Sequence, residues 1–381
     1  MKRDTVLTIK LPTGPYAVRE PGVFERPKKP FPRKALAAAH VVADPLSTKE
    51  PWLDAAIDWD ATIAYRRHLW SWGFGVAEAM DTAQRGMGLD WGNSLRLIER
   101  SIEAAREFPD AFVACGAGTD HLPAGSHAIA DIIAAYEEQC EAIEKLGGRI
   151  ILMASRALAA SARSPDDYVK VYGRILSQVK EPVIIHWLGE MFDPALEGYW
   201  GLKDHYAAME VCLSVLGKNV EGIKISLLDK EKEIAMRRKL PKGVRMYTGD
   251  DFNFAELIEG DREGHSDALL GIFDAIAPAA SHALSALEND PRTFRQVLAP
   301  TVPLSRHIFC APTRFYKTGV VFMAWLNGHQ DHFVMVGGQQ SARSIVHLSE
   351  LFRLADEAGI LRDPDLATER MRRVLAVAGI E

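Results

Sequence analysis

Residues 148–188, GRIILMASRALAASARSPDDYVKVYGRILSQVKEPVIIHWL, carry the pattern that decides the fold. GRIILMA (148–154) and PVIIHWL (182–188) are short runs that are apolar on both faces. Strands of a parallel sheet, covered by helices on either side, have this character. Between them SPDDYVKVYGRILSQV (164–179) repeats its apolar residues at helical period, with Ser164 as candidate N-cap and Pro165 at the first helical position. Two such strands joined by a helix form a β–α–β unit.

The unit recurs in both directions. Strands are predicted at 35–43, 73–80 and 111–118 before it, and at 220–227, 244–249 and 268–273 after it. Amphipathic segments follow each one, among them SLRLIERSIEAAREF (94–108) and HAIADIIAAYEEQCEAIEKLG (127–147). Eight β-then-α repeats predict an α/β fold, a (β/α)8 TIM barrel, over residues 35–287. A doubly wound sheet is the other arrangement, but no strand is followed by GxGxxG or GxxxxGK[ST]. Residues 1–34, rich in Pro and basic groups (PGVFERPKKPFPRK at 21–34), read as an N-terminal extension without its own core, a short hairpin laid on the body. Residues 288–381 show only helical patterns and read as a C-terminal helical region packed on the barrel.

Composition narrows the function. The chain has 381 residues, 48% hydrophobic and 25% charged, enough to bury a large core. Its net charge of −6 argues against nucleic acid or an anionic membrane as partner. No apolar run reaches the ~18 residues of a membrane span. The N-terminus has no apolar h-region. Cys115, Cys140, Cys212 and Cys310 form no CxxC pair and read as buried apolar residues in a reducing compartment. A cytoplasmic enzyme acting on a small molecule is the expectation, with no cofactor implied by any motif.

In such a barrel the chemistry sits at the C-terminal ends of the strands and in the loops beyond. Those places hold Glu78 and Asp81 after the second strand, Asp120 and His121 after the third, His186 on the fifth, Lys224 on the sixth, and Asp250, Asp251 and Asn253 after the seventh. Lys224 is the most informative. It stands between Ile223 and Ile225 in VEGIKISL, where a charged amine is ill placed against helices. Burial lowers the pKa of an ammonium. At a pKa near 8 roughly a tenth of the amine is neutral at pH 7, against about 0.04% at 10.4. A neutral amine attacks carbonyl carbon to form an imine, an electron sink for bond cleavage. The competing assignment is a structural lysine paired to Glu78 or Asp250. His186 is a candidate general acid or base, or a core histidine bonded to a neighbouring carboxylate. The carboxylates are candidates for binding substrate hydroxyls, although Asp251 equally suits a helix N-cap. Glu78, Asp120, His121, His186 and Asp250 also suggest an alternative, a metal-dependent barrel isomerase or aldolase. His329 and His332, an H-x-x-H in the helical tail, are a weak metal signal. A barrel that binds sugar without turnover is a third reading.

Several segments together resemble a known family. GIKISLLD (222–229), AFVACGAGTDH (111–121), KEPVIIHWLG (180–189) and MYTGDDFNFAELIEGDREGHSDALLGIFDAIAP (246–278) occur in the order of segments in the dihydrodipicolinate synthase / N-acetylneuraminate lyase family, the class I Schiff-base aldolases and dehydratases. The chain looks like a divergent bacterial branch of it, over roughly residues 35–350. The resemblance implies a TIM barrel, Lys224 as the imine-forming residue, and a homo-oligomer, dimer or tetramer. It also places His186 where the family has a proton-relaying tyrosine. The family's G-T-T-G-E loop, which binds the carboxylate of a 2-keto acid, corresponds here to GFGVAEAMDTA (73–83), without the hydroxyls. A substrate carboxylate is therefore disfavoured. The combined expectation is a Schiff-base lyase acting on a hydroxylated carbonyl compound, such as a keto-sugar or sugar-acid derivative. Glu78, Asp81, Asp120, His121, Asp250, Asp251 and Asn253 would contact the substrate. Residues 190–206 are expected to form a loop over the mouth.

Overall fold

The computed structural model describes residues 6–380, so residues 1–5 of the expected extension and Glu381 lie outside the described residues. Eight parallel strands close into a barrel in the order β10-β3-β4-β5-β6-β7-β8-β9. They are β3 (Ala35–Ala38), β4 (Gly75–Glu78), β5 (Val113–Ala117), β6 (Arg149–Leu152), β7 (Val183–Leu188), β8 (Val220–Ser226), β9 (Arg245–Thr248) and β10 (Asp267–Leu270). An antiparallel hairpin, β1 (Thr8–Leu11) with β2 (Gly14–Ala17), precedes them. The helices between strands are α1 (Trp59–Ser71), α2 (Trp91–Ala105), α3 (Ile129–Lys145), α4 (Arg156–Ser161), α5 (Pro165–Leu176), α6 (His205–Ser214), α7 (Lys230–Arg237) and α8 (Phe254–Glu259). After the barrel come α9 (Ile272–Ala286), α10 (Pro291–Leu298), α11 (Thr301–Ile308), α12 (Tyr316–Leu326), α13 (Ile345–Glu357) and α14 (Pro364–Val377). The TIM-barrel expectation is met.

Side chains alternate across each strand, and the packing shows which way each points. Leu36, Ala38, Ala77, Ala114, Ile151, Ile184, Tyr247 and Leu269 form one cluster inside the barrel. Their neighbours Val76, Cys115, Ile150, Ile185, Ile223 and Ile225 pack outward against helices. Glycine at position 222 makes room for Tyr247, because a Cβ there would lie 2.7 Å from that ring.

The ends differ from the sequence-based expectation in particular ways. The last strand stops at Leu270, and α9 begins two residues later, inside the segment expected to be strand. Pro278 lies in α9 and the helix kinks at Ile276 (φ −122°), as the loss of a backbone N–H requires. The helices α4 and α11 were not expected. Ser164 precedes α5 as expected but makes no side-chain capping bond. The N-terminal hairpin leans on the C-terminal helices. The Tyr16 hydroxyl donates to Asp356 (2.7 Å) and the Arg372 guanidinium to the Thr8 carbonyl (2.6 Å). Ile9, Leu11, β3, β10 and α9–α14 share one hydrophobic core, so the tail and the barrel bury each other. Among the described residues no helix is long and apolar enough to cross a membrane. The cysteines are free; Cys115, Cys140 and Cys212 are buried, and Cys310 is half-buried.

Candidate active site

Lys224 points into the barrel. On β8 the outward residues are Ile223 and Ile225, so Gly222, Lys224 and Ser226 face the interior. Its backbone is in register with His186 of β7 and Tyr247 of β9. The side chain is 7% exposed, and among the described residues no carboxylate oxygen lies within 4.0 Å of Nζ. Burial pushes its pKa down to about 8, against the opposing pull of the Asp251 and Asp81 carboxylates. A glycine is required at position 249 because the lysine stem passes it closely. A Cβ there would meet Lys224 Cε at 2.7 Å and the Ser226 hydroxyl at 2.2 Å.

His186 also faces inward, with Nε2 3.2 Å from the Ser226 hydroxyl. Burial, with the Lys224 charge adding to it, holds its pKa well below the ordinary value. The imidazole is therefore neutral at physiological pH. Asp251 is buried and its carboxyl is pushed up to about 7 by desolvation. Its Oδ1 accepts the N–H of Ile272 (2.8 Å), so it binds the start of α9 rather than capping α8. Asp81 sits in a short 3-10 turn after β4 and receives the ammonium of Lys317 at 3.1 Å.

The remaining acids go elsewhere. Ala77 faces the interior, so Glu78, one residue on, faces out. Arg66 of α1 grips it with two bonds (2.8 and 2.9 Å), and the Ser101 hydroxyl and Ala79 N–H also donate to it. Asp250 folds back on its own turn, accepting from the N–H groups of Phe252 (2.8 Å) and Asn253 (3.0 Å) and from the Asn253 side chain. The side-chain oxygen of Asn253 in turn accepts from Arg306 (3.0 Å). Asp120 forms a two-pronged pair with Arg85 at 2.8 Å. His121 accepts from Gln139 (2.8 Å) and lies 3.4 Å from Glu138. Of the expected set, Lys224, His186, Asp81 and Asp251 converge at the mouth, Asp120 lines the neighbouring cavity, and Glu78 does not reach the site. The five groups of the metal-dependent alternative are not brought together. Among the described residues no group of three or more His, Cys, Asp or Glu side chains is placed to hold an ion.

The sequence reading missed several residues. Lys317 and Tyr316 come from α12, in the C-terminal region. Lys317 is buried, and its ammonium serves Asp81 and the Arg314 carbonyl. The Tyr316 hydroxyl is 2.7 Å from the Thr82 hydroxyl, and burial raises its pKa well above the ordinary value. The signal was available in TRFYKTGVVFMAWL (313–326), where a lysine opens an otherwise apolar run. Beside His186 lies a cavity of about 600 Å³, bounded by the loop after β5, by α4 and by the loop after β7. Leu196 lines it, so residues 190–206 do flank the mouth, while Tyr199 and Trp200 of the same loop are buried against α5.

Residues 9–380 match the family described as protein of unknown function (DUF993). The chain belongs to the DUF993 family. No curated protein matches it. Among solved structures, this DUF993 chain is similar to a Pseudomonas aeruginosa protein proposed to be a dihydrodipicolinate synthetase, with TM-score 0.64 and 14% identity over 86% of this chain and 99% of that one. It is also similar to dihydrodipicolinate synthase from Acinetobacter baumannii, solved with pyruvate, with TM-score 0.62 and 16% identity over 86% and 99%. The enzyme from Aquifex aeolicus gives TM-score 0.59 and 12% identity over 91% and 98%. At these identities the likeness shows the fold, and the resemblance expected from the sequence holds at that level.

Proposed function

We propose that this DUF993 protein is a Schiff-base-forming lyase, an aldolase or a dehydratase, in which Lys224 is the reacting amine. The observation that carries the reading is the setting of that amine: inside the barrel near the C-terminal end of β8, without a bonded acid among the described residues, and held near pKa 8 by burial. Its lone pair adds to a substrate carbonyl carbon, and the carbonyl oxygen leaves as water. The resulting protonated imine draws electrons from the bond between the carbon α to it and the β carbon when a base takes the β-hydroxyl proton. The products are an enamine on Lys224 and a free aldehyde. In a dehydration the base takes the α proton and the β-hydroxyl leaves as water. After cleavage, a proton returned to the α carbon turns the enamine back into the protonated imine, and hydrolysis of the imine in either route returns the amine. His186, neutral and beside Ser226, serves as the base, and the Tyr316 and Thr82 hydroxyls, next to Asp81, carry protons on the opposite side.

The chemistry needs one hydroxyl on the β carbon. Asp251, whose charge acts on Lys224, is the acid we propose to meet it, since Asp81 is already paired to Lys317. The wider expectation of a polyhydroxylated substrate has less support, since Glu78, Asp120 and Asp250 have other partners. A homo-oligomer and a cytoplasmic location are carried as proposals on fold analogy alone. The test is borohydride reduction in the presence of a panel of small aldehydes and ketones, followed by intact mass and peptide mapping. An adduct on Lys224, absent from Lys224→Ala, is expected. Failure of every carbonyl to give one ends the proposal.

A further inference from the structure

The cavity beside His186 is built differently from what a ring of free carboxylates would give. Its charges arrive already matched. Asp120 spends both oxygens on Arg85, and Arg85 gives its other N–H groups to the carbonyls of Gly116 and Ala79 and the side chain of Gln139. Asp193 holds Arg156 at the half-exposed rim, and Lys317 holds Asp81. The Thr119 hydroxyl is bonded to Ser155 (2.6 Å). Apart from the His186 imidazole and stretches of backbone, what remains of the wall is largely hydrocarbon: Met153 and Leu188 from the barrel, Leu122 from the loop after β5, Ala157 from α4 and Leu196 from the loop after β7. A polar ligand entering here gives up its hydration and finds few unspent partners, which is costly. An apolar one gains from every methylene it buries. A volume of about 600 Å³ is in the range that takes a whole small molecule.

We infer that the substrate carries an apolar arm, a hydrocarbon chain or ring, which lies in this cavity while its carbonyl faces Lys224. The inference rests on the reading of Lys224 as the imine-forming amine and adds the class of molecule that reaches it. The alanines at 154, 157 and 160 fit the same picture, since small side chains keep the space open. The rim pair Arg156–Asp193 marks where the far end of the arm meets water.

The arm is tested without the covalent step by calorimetry with unreactive alcohols, 1-butanol to 1-octanol, on the full chain. Affinity is expected to rise about fourfold per methylene, the factor for burying one such group. Leu122→Trp should weaken 1-octanol at least tenfold by filling the cavity. Ala160→Trp, at an exposed position, gives the same block if the first variant does not fold. Affinity that is flat along the series, or exceeded by glycerol and erythritol, overturns the arm. Borohydride trapping with acetone and with 2-octanone separates this from the imine. An adduct with acetone and no preference for 2-octanone sinks the arm and leaves the imine. Chain-length-dependent alcohol binding without an adduct from either ketone supports the arm and sinks the imine.

Discussion

Replacing Lys224 by methionine should make the protein more stable at pH 7, and the gain should disappear by pH 10 to 11. In the folded chain burial lowers the amine's pKa from 10.5 to about 8. Below pH 8 both folded and unfolded chains carry the proton, and the folded one bears the full cost of a buried charge. Between pH 8 and 10.5 the unfolded chain holds a proton that the folded chain has lost, so stability rises with pH across that window. A shift of that size corresponds to about 3 kcal/mol. Methionine matches the stem in shape and has no charge to desolvate, so it recovers that sum at neutral pH and nothing above the unfolded value. Asp251 acts in the same sense. Without the lysine its already raised pKa rises further, so its ionisation costs the variant more at high pH. Repeating the comparison in an Asp251→Asn background isolates the lysine, since asparagine keeps an oxygen for the Ile272 N–H. The assay is urea unfolding of parent and variant at pH 7 and pH 10, compared as a difference of differences so that distant groups cancel. The same destabilisation at both pH values would show that Lys224 is an ordinary paired charge, and the case for a neutral nucleophile would fall with it.

Two further outcomes follow from the same geometry. Arg66→Met should destabilise by about 3–5 kcal/mol in denaturant titration, because it leaves the Glu78 carboxylate buried and unmatched, whereas Arg66→Met with Glu78→Leu should recover most of the loss. Tyr316→Phe keeps the ring stacked on Phe309 (centroids 4.3 Å apart) and removes only the hydroxyl facing Thr82. The exchange of acetone hydrogens with D2O through the Lys224 enamine, followed by NMR, should slow by about 10²-fold or more if that phenol carries a proton, and an unchanged rate would remove it from the mechanism.

Much of the architecture was legible because buried parallel strands leave a strong mark. IIL at 150–152, VIIHWL at 183–188 and IKI at 223–225 are too apolar and too short for anything else between amphipathic helices. Seven of the eight barrel strands fall wholly inside the segments expected for them, and β10 begins one residue early. The eighth was drawn too long because ALLGIF (268–273) reads as one apolar run. Nothing local announces that the chain turns helical at Ile272, since the Asp251 carboxylate that accepts its N–H comes from 21 residues upstream. The helix α11 escaped for a related reason. Pro303 in TVPLSRHI argues against helix, yet it stands in the first turn, where its missing N–H has no intrahelical partner to lose.

For the site, strand alternation separates what could be read from what was misread. Lys224 and Glu78 both looked like polar residues on apolar strands. The lysine's neighbours, Ile223 and Ile225, are large and suited to the helix side, which turns the lysine inward. The glutamate's neighbour on β4, Ala77, is small and lies in the crowded interior, which turns the glutamate outward to Arg66. The rule that assigns one assigns the other, and applying it along β4 would have removed Glu78 from the site. No such rule reaches Lys317 and Tyr316, because the strand-end argument searches only the βα loops. Their place at the mouth depends on the core shared by α9–α14 and the barrel, a long-range packing result that carries α12 across to Asp81 and Thr82. A buried lysine on an otherwise apolar helix requires an acid opposite it. In this chain that acid is Asp81, just after β4, whose charge also acts on Lys224.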